Sequence, residues 1–212
     1  MPTQVGQRMT FENAKALVRS LGYSVDHAKI TQSYLRSEVA LSTSSANYHI
    51  PVLVNDTQNG AVRINERRLN LQDIFVATEW SILFGIGTAT DTKAKLYSYP
   101  NATAFTGTSD DDLWSLYNGY LSLSINNDLV VPAYDVFRSY FVPQTQQSAS
   151  TTDQFDASTD SWYPVEPGIV MNGAANINFQ LNANGAPATI TANSFICVQQ
   201  RGLLLQNVTT VK

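Results

Sequence analysis

The chain has 212 residues, of which 43 % are hydrophobic and only 14 % charged, whereas about 25 % charged is usual for soluble domains. Ser, Thr, Asn and Gln supply 69 of the 212 residues, and the net charge of −4 splits into +2 over residues 1–102 and −6 over residues 103–212. Neither half has the basic excess that phosphate neutralisation needs, so strong nucleic-acid contact is not expected. Cys197 is the single cysteine, which excludes an internal disulfide, and no run reaches the roughly 18 apolar residues of a membrane span.

The N-terminus lacks a charged segment followed by an apolar core, so no signal peptide is expected. Thr10 can cap a helix over "FENAKALVRSL", in which Phe11, Ala14, Leu17, Val18 and Leu21 fall at helical spacing, and Gly22 supplies the stop. Such a helix either packs under the sheet of its own domain or reaches a neighbouring subunit. Asp26 can cap a second short helix through about Tyr34. Residues 1–36 therefore form an N-terminal arm, and residues 37–212 the main domain.

From residue 37 the apolar period changes to two. "SEVAL", "YHIPVLV" and "AVRIN" are short strands, with "NDTQNG" turning the chain between the last two. In "RRLNLQDIFVATEWSILFGIG", Ile74, Val76, Trp80, Ile82, Phe84 and Ile86 share one parity. The run is long for one strand, so a bend or bulge is expected near Glu79. "AKLYSY" is another strand. "TSDDDLWSLYNGY" reads as a helix with Ser109 as its cap and three Asp in its first turn, where the helix dipole favours them. A calcium site is the sharper reading, but the alternating Asp spacing and inner Gly of a calcium loop are missing.

"YLSLSI" alternates, "NND" turns and "LVVP" follows. "YDVFRSYFVP" fits a strand or a short helix, and residues 144–161 form a long loop nearly devoid of aliphatics. "GIVMNG" and "ANINFQLNA" are strands. The second alternates strictly and writes its polar face in amides rather than charges. "TITA", "SFICVQQ" and "LLLQNVTTV" complete the series, with Cys197 expected to be a buried structural thiol. The sum is a mainly β chain: an antiparallel β-sandwich, jelly-roll-like, with a short N-terminal helical segment.

Candidate chemistry is sparse. His27 and His49 have no paired metal spacing, and no nucleophile elbow or phosphate loop is present. Glu38, Asp73, Glu79, Asp135 and Glu166 could supply the carboxylate pair of a glycosidase, but no motif pairs them. No enzymatic activity, cofactor or metal is expected. Arg67 and Arg68 in "ERRLN" form the one dense basic cluster, suited to an internal or intersubunit salt bridge. Trp114, Trp162 and Tyr163 fit either a sandwich core or a carbohydrate platform. Amide-faced strands suit crowding of identical subunits, because a charged face repels its own copies. Arg67, Arg68, Phe11, Leu17 and Leu21 are the candidate subunit contacts.

"NERRLNLQDIFVATEWSILF", "LYNGYLSLSINND", "FVPQTQ" and "WYPVEPGIVMNGAANINFQL" resemble segments of bacteriophage virion structural proteins in style and spacing, over roughly residues 38 to 200. The resemblance implies a capsid or capsid-associated subunit with a jelly-roll-like sandwich. It also implies assembly with copies of itself and other virion proteins, and location in the virion after assembly in the host cytoplasm. Coat proteins of this kind often carry a basic genome-binding arm, which this chain lacks. A carbohydrate- or receptor-binding module of a fibre or tail is the alternative.

Overall fold

The computed structural model describes residues 11–52, 68–88, 94–142 and 161–210. Helix α1 (Phe11–Ser20) is followed by β1 (Tyr23–Ser24), β2 (Lys29–Ala40), β3 (Asn47–Pro51), β4 (Ile74–Ile86) and β5 (Lys95–Tyr97). Helix α2 (Asp110–Tyr117) leads to β6 (Tyr120–Ile125) and β7 (Asp128–Asp135), then a 3-10 turn at Val136–Ser139. The chain closes with β8 (Tyr163–Asn172), β9 (Ile177–Asn182), β10 (Ser194–Gln206) and β11 (Thr209–Thr210).

Two antiparallel sheets pack face to face. The large sheet runs β2-β10-β4, with β8 and β5 sharing the far edge of β4; the small sheet runs β3-β9-β6-β7. Set aside the short strands β1, β5 and β11. Counted along the chain, the remaining eight are then ordered first-eighth-third-sixth in one sheet and second-seventh-fourth-fifth in the other. That wiring is a jelly roll. Tyr48, Ile50, Leu121, Phe179 and Leu181 of the small sheet meet Phe75, Trp80, Ile82, Phe84 and Val198 of the large one in a single core.

A bulge in β4 organises the large sheet. Ala77 opposes Gly202 and Glu79 opposes Arg201, so Thr78 is the extra residue. Its hydroxyl donates to the Arg201 carbonyl at 3.2 Å. The inserted residue reverses the facing of everything after it. Ile74 and Val76 therefore point outward with Leu203 and Leu205, while Trp80, Ile82 and Phe84 point into the sandwich. The shared parity of these residues in the sequence is real, but they lie on two faces. The bend expected near Glu79 is present.

Helix α1 covers the outward apolar patch, burying Ala14 and Val18 against Ile74, Val76, Leu203 and Leu205. Gly22 closes the helix with φ +85°, a region open to glycine at little cost. The helix expected from Asp26 does not form: residues 29–40 are strand β2, which crosses the boundary drawn at residue 36. Asp26 instead pairs with Arg19 of α1 at 2.9 Å. Ile30, Thr31 and Tyr34 suit a strand, and β10 offers a full-length partner.

Two further readings change. "TITA" is not a strand but part of a loop, and "SFICVQQ" joins through Arg201 and Gly202 to the first four residues of "LLLQNVTTV" in β10, whose later Thr209–Thr210 form β11. A Cβ on Gly202 would collide with the Val76 carbonyl at the bulge, so this glycine serves a close approach and not a turn. Three local readings hold. Ser109 caps α2 and accepts from the Asp112 N–H, Asn126 and Asn127 form the two-residue hairpin with φ 53° and 67°, and Cys197 is buried. The segments read at 55–60 and 61–65, and nearly all of the loop read at 144–161, lie outside the described residues.

Gly202→Ala is expected to destabilise the fold by about 2–3 kcal/mol through overpacking at the bulge. Thr78→Val should cost about 1 kcal/mol for the lost hydroxyl bond. Urea unfolding midpoints at unchanged m-value check both.

Candidate assembly surface

The jelly roll presents its outward sheet faces, its edge strands and the loops at its two ends. The outer face of the small sheet has the most distinctive chemistry. Three cross-strand rows span β3, β9 and β6: Asn47–Asn182–Tyr120, His49–Gln180–Ser122 and Pro51–Asn178–Ser124. None of these nine positions holds Lys, Arg, Asp or Glu. The polar groups bond laterally. Gln180 Nε2 donates to Asn182 Oδ1 at 2.8 Å, and Asn178 Nδ2 lies 3.2 Å from His49 Nδ1. The Ser122 and Ser124 hydroxyls donate to the Gln180 and Asn178 carbonyls at 3.4 Å. This amide and hydroxyl net keeps the face wet without a field of like charge.

Strand β7 flanks this face as an outer edge of the small sheet. It exposes Leu129 (57 %) and Val130 (42 %) beside Pro132. Exposed apolar side chains on an edge strand favour contact with another chain, and a proline limits indefinite strand pairing. Asp135 at the end of β7 is committed locally, accepting from the Phe137 N–H at 3.0 Å. The sequence reading passed over Leu129 and Val130. The proline ending "LVVP" was the available sign of an edge strand.

At the end of the sandwich where β4 hands over to β6, α2 is locked to the loop before β10. Asp112 accepts from Ala188 N and Thr189 N at 3.1 and 3.2 Å, and the Thr189 hydroxyl lies 3.4 Å away. Slight desolvation would raise this carboxyl, but hydrogen bonds from Ser109, Ala188 and Thr189 outweigh it and hold Asp112 below its usual value. Asp112, the last of the three first-turn Asp residues, thus clamps a loop. No group of three or more His, Cys, Asp or Glu able to hold a metal occurs among the described residues.

The same end carries a ring stack. Phe137 and Tyr140 lie nearly parallel at 11° and 4.7 Å, and Trp114 of α2 stacks on both, at 6.4 and 5.9 Å. Trp162 has its face covered by Arg201 at 3.8 Å, and Tyr163 has its face covered by Arg138 at 4.8 Å. Trp114, Trp162 and Tyr163 are all half-buried, and the well-exposed ring of the group is Phe137.

The sequence-derived contact residues fall in two places. Phe11 (47 %) and Leu21 (54 %) are exposed at opposite ends of α1, while Leu17 packs against the helix's own sheet. Arg68 is half-buried just before β4, and Arg67 lies outside the described residues. Nearby Asp73 accepts from the Asn70 amide at 3.0 Å and from the Asn207 N–H at 3.4 Å. The remaining candidate acids are dispersed. Glu38 pairs with Arg36 at 2.5 Å, Glu79 faces outward opposite Arg201, and Glu166 is exposed on β8. No helix among the described residues is long and apolar enough to cross a membrane. No protein-family model, curated protein or solved structure matches the chain.

Asp112→Asn should lower the melting temperature at neutral pH. Because the folded carboxyl is depressed, its stabilisation is present above the unfolded value of about 3.9 and is lost as pH falls through the folded value. The gap between wild type and Asp112→Asn should therefore shrink below about pH 4, as thermal scans across a pH series would show.

Proposed function

We propose that this chain is a non-enzymatic virion structural protein. It is a coat or coat-associated subunit that assembles through its jelly roll with copies of itself and other virion proteins, in the host cytoplasm and then in the virion. The observation that carries this reading is the uncharged outer face across β3, β9 and β6, joined to the exposed apolar Leu129 and Val130 of β7. Jelly rolls serve in viral shells, lectins and cupins, so the fold alone does not choose among them. The surface chemistry supports a shell. Two copies meeting through a charged face would set like charges against each other, at a cost of several kcal/mol. A neutral amide face avoids that cost and can exchange its water bonds for bonds across the contact.

Burying a fully exposed Leu or Val contributes about 1.5–3 kcal/mol. Leu129 and Val130 are about half exposed, so re-burial of the pair contributes roughly 2 kcal/mol per copy. Such an increment is small in one dimer and decisive when repeated around a closed shell. Leu129→Lys with Val130→Lys should leave the fold intact and lower the assembled fraction in sedimentation by tenfold or more. Assembly equal to wild type would remove β7 from the contact.

The α1 contribution needs point changes. Deleting residues 1–22 would uncover Ile74, Val76, Leu203 and Leu205, confounding assembly with stability. Phe11→Glu with Leu21→Glu acts only on exposed side chains. It is expected to reduce assembly without moving the urea midpoint.

A second reading, a carbohydrate- or receptor-binding module, rests on the Trp114–Phe137–Tyr140 stack and its exposed Phe137 ring. It predicts glycan binding that falls at least tenfold in Phe137→Ala, checked by titration against a glycan panel.

A further inference from the structure

The inner face of the large sheet is largely apolar, and Gln200 departs from that pattern. It stands on β10 between Leu35 of β2 and Trp80 of β4, its register partners on either side, and Tyr163 of β8 continues the row beyond Trp80. Directly paired residues of antiparallel strands share a face. Leu35 and Trp80 belong to the core between the sheets, so the Gln200 side chain enters that core. It is 0 % exposed, and neither Oε1 nor Nε2 has a hydrogen-bond partner within the protein.

Further polar groups converge on the same level. Trp80 meets Tyr134 of the facing sheet edge-on, with ring centroids 4.9 Å apart. The Trp80 Nε1 and the Tyr134 hydroxyl are both buried, and neither makes a hydrogen bond of proper geometry to the protein. Burial pushes the Tyr134 phenol up to about 12, against a weaker downward pull from Ser139 and Trp80. The side chains of Ser139 and Trp80 therefore lie within reach of this hydroxyl. Ser161, two residues before Tyr163, also buries a hydroxyl without a protein partner.

A primary amide offers two donors and an acceptor with two lone pairs. Leaving all of them unmade in a dry core costs more than any single hydrogen bond contributes, and native interiors satisfy nearly all such groups. Leu or Met would fill this position at no such cost. A buried water characteristically makes about three hydrogen bonds to otherwise unsatisfied groups. The set here is uncharged and mixes donors with acceptors, which suits water and not an ion.

We propose that Gln200, Trp80 and Tyr134 form an internal hydration site in which ordered water ties the two sheets together beside the β4 bulge. Water there accepts from Trp80 Nε1–H and Gln200 Nε2–H and donates to Gln200 Oε1 or the Tyr134 oxygen. The site is independent of the assembly reading and stands or falls without it.

The test is hydration NMR on the full chain, in solution or as a sedimented assembly. The side-chain amide protons of Gln200 and the indole proton of Trp80 should both show cross-relaxation to long-lived water. Gln200→Leu should abolish the indole cross-peak and lower the melting temperature by about 2–4 °C. Absence of both cross-peaks in the wild-type protein would overturn the site, whatever the variant does. A Gln200→Leu protein that keeps the indole cross-peak would overturn the role given to Gln200. If Gln200→Leu does not fold, Gln200→Met provides the same comparison with a side chain of similar length.

Discussion

The pairing of β4 with β10 is the constraint on which the rest of the molecule depends. Both strands are 13 residues long and lie side by side in the large sheet. Their ladder could not serve both an inner core and a helix-covered outer patch if it were regular. A regular β4 would send Ile74, Val76, Trp80 and Ile82 to one face. Thr78 breaks the period, and Gly202 accepts the close approach of the Val76 carbonyl that follows. One inserted residue thus gives α1 its apolar seat below and gives the sandwich its Trp80-centred core above. Gln200 and Trp80 face each other across the ladder immediately beyond this break.

The two sheets divide the work. The large sheet buries apolar side chains on both faces, as the separate clusters around Val18 and Phe195 show. The small sheet buries one face only and presents amides and hydroxyls on the other across β3, β9 and β6. Stability therefore concentrates in the large sheet, which leaves the small sheet's outer face free to be shaped by contact chemistry. The loop end adds a second exposed chemistry through Phe137, held in place by Asp135 and the Trp114 stack.

Much of the fold was legible because it rests on local rules. The strict alternation of residues 175–183 wrote β9, Ser109 wrote the start of α2, and Asn126-Asn127 wrote the hairpin. The failures share a cause in tertiary pairing. Asp26 signals a cap in isolation, yet β10 supplies β2 with a ladder of full length, and pairing overrides the cap. Gly202 signals a break in isolation, yet the bulge requires a residue without Cβ inside a continuous strand. Surface legibility was poorer. The neutral face could be read from amide composition, but Leu129 and Val130 became candidate contacts only once β7 was placed at an edge. Gln200 left a faint trace. Two adjacent glutamines in one strand cannot both face water when one face of its sheet is core.

On the proposed function, these surfaces bring copies of the chain together. Multi-angle light scattering of the purified full chain across a concentration series tests it most directly. A discrete, closed assembly of many subunits, with a mass independent of concentration above a threshold, is the predicted result. A particle that stays at the 23.3 kDa monomer mass up to millimolar concentration would contradict it.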